Sequence, residues 1–86
     1  MHRIYKSTRD WLITASRTNF YNVITEAKMT PRQKEIVEER FIKGKPNFLI
    51  AMDMNLSTKT IEREIHMAYL AINRILNITT PDPQVL

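Results

Sequence analysis

The sequence predicts an all-α fold, a small helical bundle, and three observations carry this prediction. The chain has 86 residues, of which 43% are apolar and 26% charged, a composition typical of one folded domain. Its apolar residues recur at three- and four-residue steps over most of its length, which is the spacing of a helix with one buried face. It contains one glycine, which leaves little room for the tight turns of a β-rich fold.

The first helical segment lies within residues 1–28 and forms an N-terminal extension. Ser7 and Asp10 make a Ser-x-x-Asp helix start, and the apolar stripe begins at Trp11. This stripe weakens around residues 17–19, and Asn19 stands where an apolar residue is expected. One long helix and two shorter helices both remain open for this segment.

The next helix has a sharper beginning and a clear end. Thr30 can cap it, Pro31 suits the first helical position because it has no N–H to leave unpaired, and Gln33 can close a capping box. At the other end, the basic Lys43 precedes Gly44, and a glycine is the usual residue just after a helix C-terminus.

A short helix, a tight turn and a longer helix follow. The short helix covers residues 46–53, and Asn55 in the turn can take a positive φ at less cost than most residues. Ser57 caps the last helix, whose apolar stripe runs to about Leu76. The tail, residues 77–86, has no periodicity and is predicted to be disordered. The unit is a helix-turn-helix, whose second helix has the diameter to enter the major groove of B-DNA.

Residues 29–76 resemble a known family in sequence. The most telling parts are the Thr-Pro-Arg-Gln opening at 30–33, Gly44, and the Lys-Thr-Ile run at 59–61. They are similar to the four-helix DNA-binding domain of region four of bacterial sigma factors and of LuxR-type (GerE) regulators. The resemblance implies a helix-turn-helix domain over residues 29–76, with Ser57–Leu76 as its recognition helix.

The resemblance also implies which side chains meet DNA. It puts Ser57, Thr58 and Lys59 near backbone phosphates and turns three further residues toward the bases, namely Glu62, Arg63 and His66. Helical geometry gives a similar list, since positions 59, 62, 63 and 66 lie opposite the apolar stripe at 61, 65, 68 and 72. Arg63 can read guanine and Glu62 can accept from a cytosine amino group. Four basic residues that flank the motif would neutralise phosphates: Arg32, Lys34, Lys43 and Lys45.

The charge balance is consistent with a nucleic-acid partner. The net charge is +4, and the basic excess lies in residues 1–45. We therefore predict a sequence-specific transcriptional regulator that binds double-stranded DNA. One such module offers a small interface, so we expect it to act as a homodimer or together with RNA polymerase.

A rival interpretation is a protein-interaction module that binds RNA polymerase or another regulator and leaves DNA alone. Its motivating feature is a set of three apolar residues in the short helix: Phe48, Leu49 and Met52. They either form a partner surface or lie under the N-terminal helix of the same chain.

Other function classes have little support in the sequence. The chain has no cysteine, and two separate histidines, His2 and His66, do not make a metal site, so no metal is expected. No activated nucleophile, acid–base pair or cofactor loop is recognisable, so we expect neither an enzyme nor a cofactor. No apolar stretch is long enough to cross a bilayer, so we expect no membrane contact. The lack of cysteine, and hence of a disulfide scaffold, leads us to expect a cytoplasmic location. By analogy, the short chain suits a regulator from a phage or mobile element.

Overall fold

The structure is a computed structural model that describes residues 3–79, with side chains from residue 7 to residue 76. It contains α1 (Arg3–Thr14), α2 (Arg17–Glu26), α3 (Pro31–Phe41), α4 (Asn47–Met54) and α5 (Thr58–Thr79). Between residues 3 and 79 there is no strand, so the predicted all-α fold is confirmed. Within that span no helix is both long and apolar enough to cross a membrane.

The N-terminal extension forms two helices. The chain leaves α1 after Thr14, and Ser16 begins α2 by accepting a hydrogen bond from the Asn19 N–H at 3.2 Å. The polar residues at which the apolar stripe weakens therefore belong to the first turn of α2, which Ser16 caps. α1 begins at Arg3, so the Ser-x-x-Asp pattern at Ser7 lies inside the helix and does not start it.

α3 begins and ends as its residue types predict. The Gln33 N–H donates to Thr30 Oγ1 and the Thr30 N–H donates to Gln33 Oε1, both at 3.1 Å, which completes the capping box. After the helix, Gly44 has a φ of +71°, a conformation that residues with a side chain rarely adopt. The chain then turns, and Pro46 is the N-cap of α4.

The turn between α4 and α5 depends on Asn55. This residue is left-handed, with φ 56° and ψ 43°, as predicted. Its conformation lets the Leu56 N–H return to the Ala51 carbonyl at 2.9 Å. α5 then runs for 22 residues to Thr79, three residues beyond the predicted end of the motif. The prediction that residues 77–86 are disordered is therefore wrong for residues 77–79, which are helical. Residues 80–86 lie outside the described part of the chain.

Two apolar clusters lie along α5 and hold the bundle together. The first joins its C-terminal half to α1, α2 and α3 through Leu12, Phe20, Ile24, Ala27, Val37, Ala68 and Ile72. The second joins its N-terminal half to α3 and α4 through Ile36, Ile50, Ala51, Ile61 and Ile65. Tyr69 contacts both clusters. Because α5 belongs to both clusters, the N-terminal extension stabilises the same helix that the helix-turn-helix presents.

The N-terminal helix does not cover the apolar residues of α4. α1 packs mainly against α5. Phe48 is 59% exposed and Met52 is 69% exposed, while Leu49 is half-buried. The interpretation that these side chains lie under the N-terminal helix is therefore wrong, because the apolar face of α1 is used by the C-terminal half of α5.

Candidate nucleic-acid interface

The N-terminal half of α5 presents a polar outer face. The stripe of Ile61 and Ile65 faces the core, and the opposite side of the helix is in solvent. All six residues that the sequence predicts to meet DNA on this helix are exposed: Ser57, Thr58, Lys59, Glu62, Arg63 and His66. Within residues 7–76 neither Lys59 nor Arg63 takes part in an ion pair. The structure therefore brings the predicted residues together on one accessible surface.

The start of α5 is fixed by Ser57. Its Oγ accepts the Thr60 N–H at 3.0 Å and lies 2.9 Å from the Thr60 hydroxyl. The Ser57 hydroxyl therefore satisfies an otherwise unpaired helix N–H, while the N–H groups of the next residues point out of the helix end. A helix N-terminus of this kind favours an anion.

A link between α3 and α5 was not foreseen from the sequence. Gln33 Nε2 donates to Glu64 Oε1 at 2.9 Å, and Arg32 Nη1 lies 3.5 Å from Glu64 Oε2. The Glu64 side chain is only 16% exposed. The Glu64 carboxylate, beside the outer face of α5, is thus turned toward α3, and its charge is partly neutralised there. Arg32, one of the predicted phosphate contacts, is its partner.

A second network joins the end of α3 to α4, and we call its four members, Glu39, Lys43, Lys45 and Asp53, the Glu39 cluster. Glu39 Oε2 pairs with Lys43 Nζ at 2.8 Å, and Glu39 Oε1 pairs with Lys45 Nζ at 2.7 Å. Lys45 Nζ also contacts Asp53 Oδ2 at 2.9 Å. Two predicted phosphate contacts, Lys43 and Lys45, are therefore bound to carboxylates of the same chain.

The charges of the Glu39 cluster reinforce one another. Hydrogen bonds from Lys43 and then Lys45 hold the pKa of Glu39 below its usual value. The hydrogen bond to Glu39 raises the pKa of Lys43, and hydrogen bonds to Glu39 and Asp53 raise the pKa of Lys45. These shifts favour the charged forms of Glu39, Lys43 and Lys45 while the ion pairs are intact.

The remaining predicted phosphate contact, Lys34, lies on α3 and is half-buried. It makes no ion pair within residues 7–76, so its ammonium group is not held by a carboxylate there. Lys34 and Lys59 can therefore bind an external anion without first breaking an ion pair, unlike Arg32, Lys43 and Lys45.

A shallow depression borders the outer face of α5. It has a volume of about 190 Å³ and is lined by Asn47, Glu62, Ile65, His66 and Tyr69. The Asn47 Oδ1 atom is buried and has no hydrogen-bond partner in the described part of the structure. The first residue of α4 thus lies beside two predicted base-reading residues, which sequence spacing did not indicate because α4 and α5 meet only in the folded chain.

Within residues 7–76 no group of three or more His, Cys, Asp or Glu side chains is arranged to hold a metal ion. The surface carries instead the mixture of cations and hydrogen-bonding groups described above. Cations and hydrogen-bonding groups of these kinds are the groups that contact phosphate oxygens in protein–DNA interfaces.

The sequence of this region is similar to that of a known protein family. The profile of a family described as bacterial regulatory proteins, luxR family, matches residues 27–79. Neither a curated protein nor a solved structure matches the chain. The matched region spans α3, α4 and α5 and contains every residue of the predicted DNA-binding set.

Proposed function

Because the chain belongs to the luxR family of bacterial regulatory proteins, we propose that it reads a specific DNA sequence with α5. At the family level it is a DNA-binding transcription regulator with a helix-turn-helix. The observation that carries the finer proposal is the accessible outer face of α5, on which Lys59, Arg63 and His66 are all exposed.

The dimensions of α5 support insertion into the major groove. A helix with its side chains is about 10 to 12 Å across, and the major groove of B-DNA is about 12 Å wide. Arg63 would donate two hydrogen bonds to guanine, and Glu62 would accept one from cytosine. Ser57, Thr58 and Lys59 would lie at a phosphate, because the helix N-terminus attracts anions there.

The test compares two arginines of α5. Arg63→Ala removes the proposed base contact, while Arg74→Ala removes the same charge from an exposed position three turns further along. Both variants are measured against a duplex selected from a random pool and against random duplex. We expect Arg63→Ala to lose about 1 to 3 kcal/mol of discrimination, a factor of roughly 5 to 150, and Arg74→Ala to retain it. Equal losses on selected and random duplex would contradict base reading by Arg63.

We further propose that a second contact supplements the single module, either a homodimer or RNA polymerase. One helix-turn-helix buries a small area on DNA, which supports the need for another contact. Sedimentation velocity with and without the selected duplex distinguishes these cases. A dimer predicts two half-sites about 34 to 36 Å apart, whereas a monomer that shifts only with added polymerase supports the tethered arrangement.

Protein interaction without DNA binding is a second candidate function, favoured by one observation. Phe48 and Met52 occupy one exposed face of α4, and large exposed apolar groups often mark a partner surface. A pull-down with RNA polymerase would test the double variant Phe48→Ser with Met52→Ser. Ile13→Ser is the matched control, since Ile13 is similarly exposed but lies on α1. This candidate would be favoured if the wild type and Ile13→Ser retained polymerase, the double variant did not, and none of the proteins shifted a DNA duplex in a gel.

A further inference from the structure

Three of the four flanking cations predicted to contact phosphate are bound to carboxylates of the same chain. Glu64 holds Arg32, and Glu39 holds both Lys43 and Lys45. A carboxylate offers a cation the same kind of partner as a phosphate oxygen. The DNA-free protein therefore contains internal competitors for its own phosphate contacts.

We propose that Glu39 limits DNA affinity by holding Lys43 and Lys45 on the protein, so that each lysine must exchange a carboxylate for a phosphate. This inference rests on the proposed function of α5 and adds a regulatory contact to it. The Glu39 cluster is then an autoinhibitory ion-pair network at the edge of the DNA-binding surface.

The geometry of Glu39 supports this role. Its side chain is only 13% exposed, and each of its two oxygens binds a different lysine within 2.8 Å. It also lies on α3 at a position from which both lysines of the following loop are within reach. A mostly covered carboxylate whose two oxygens are both paired retains its partners better than an isolated surface pair.

The two lysines are held unequally. Lys43 has one carboxylate partner and a side chain that is 56% exposed, whereas Lys45 also contacts Asp53 and is less exposed. Removal of the Glu39 charge therefore frees Lys43 and leaves Lys45 with a partner. Freeing Lys45 as well requires the loss of Asp53.

The exchange has a measurable signature in salt dependence. Each protein cation that neutralises a phosphate steepens the plot of log affinity against log salt by about 0.9. A lysine that abandons a carboxylate contributes less, because the vacated carboxylate attracts a cation from solution. The wild type should therefore have a shallower slope than its number of nearby basic residues implies.

The test compares two variants with the same change in net charge. Glu39→Gln removes the carboxylate at the centre of the cluster, while Glu35→Gln removes an exposed carboxylate of the same helix that makes no ion pair within residues 7–76. Affinity for random duplex is measured by fluorescence anisotropy over a range of salt concentrations. Unfolding curves of both variants verify that the proteins are folded at each condition.

We expect Glu39→Gln to steepen the salt slope by about 1 relative to Glu35→Gln, and the addition of Asp53→Asn to steepen it by about 1 more. A slope difference of 1 corresponds to a roughly fourfold change in relative affinity between about 50 and 200 mM salt. Lys43→Gln in the Glu39→Gln background should abolish the first increase.

Different failures have different meanings. If the wild type binds duplex and Glu39→Gln behaves like Glu35→Gln, net charge explains the effect and the role of Glu39 is overturned. If Lys43→Gln leaves the increase intact, the freed lysine is not the cause and the inference is again overturned. If no variant binds duplex, the proposed function itself is wrong, and the inference is lost with it.

Discussion

The contact between Gln33 and Glu64 allows a one-atom test of how α3 holds α5. Gln33 uses Oε1 for the capping box and Nε2 for Glu64. Gln33→Glu preserves the shape of the side chain and its acceptor for the Thr30 N–H. It replaces the Nε2 donor by an oxygen that faces the Glu64 carboxylate. The capping box should therefore survive while the link to α5 becomes repulsive.

The magnitude follows from two terms. A hydrogen bond to a charged group contributes about 1.5 to 3 kcal/mol, and the one from Gln33 to Glu64 is lost. Two carboxylates about 4 Å apart repel by about 1 kcal/mol in water-like surroundings and by up to about 4 kcal/mol near a protein surface. Arg32 at 3.5 Å still opposes this repulsion, so its lower end applies. We expect Gln33→Glu to lower the free energy of unfolding by about 2.5 to 4 kcal/mol at neutral pH.

Urea unfolding followed by far-UV circular dichroism measures this loss. In acid, two adjacent carboxylates favour sharing one proton, which restores a hydrogen-bond donor, so the deficit relative to the wild type should shrink as the pH is lowered. Gln33→Ala is the control, because it removes the cap and the link together and its deficit lacks this recovery. The swap of Gln33→Glu with Glu64→Gln exchanges donor and acceptor and should restore most of the stability. A Gln33→Glu protein as stable as the wild type at neutral pH would refute the reasoning, as would a swap without recovery.

Three further predictions concern single residues. Asn55→Gly should leave the urea midpoint of unfolding nearly unchanged, because glycine tolerates a φ of 56°. Asn55→Ala should lower the free energy of unfolding by about 1 kcal/mol, because alanine is strained at this φ. Equal effects of the two substitutions would argue against the left-handed turn. Thr8→Val should raise stability by about 1 kcal/mol, because the buried Thr8 Oγ1 has no hydrogen-bond partner in the described structure. Thr14→Val is its control, since Thr14 Oγ1 already donates to the Asp10 carbonyl at 2.9 Å and the change should bring no gain. Because the pKa of Glu39 is lowered in the folded protein, its charge stabilises the fold at pH values above the usual carboxyl pKa, and this contribution disappears as the pH falls through the folded pKa. Glu39→Gln should therefore be less stable than the wild type at neutral pH only. A loss of stability that persists in acid would exclude an ionic cause.

The sequence allowed most of the local structure to be predicted. Thr30 and Gln33 form the capping box, and Ser57 caps α5. Gly44 and Asn55 take the positive φ values that their residue types permit. These features depend on residues within a few positions of one another, so composition and spacing are enough to reveal them. The same holds for the outer face of α5, because helical periodicity separates it from the apolar stripe.

The choice between one N-terminal helix and two could not be made from periodicity alone. The break at Ser16 combines a cap with the packing of Phe20 and Ile24 against α5. Sequence spacing also did not reveal that α1 covers the far half of α5 and leaves Phe48 exposed. An apolar face predicts that a helix is buried against something, but it does not say which other face it meets.

What the sequence by itself determined was the boundaries of α3 and α4 and the start of α5 to within a few residues, together with the left-handed turn and the exposed polar side of α5. Only the tertiary structure decided the partners of the charged groups, since Gln33 with Glu64 and Lys45 with Asp53 come together through the packing of separate helices. The physical reason is the separation along the chain of the residues that interact. Caps and turns are local hydrogen bonds, whereas an ion pair between helices depends on how the apolar faces of those helices align in space.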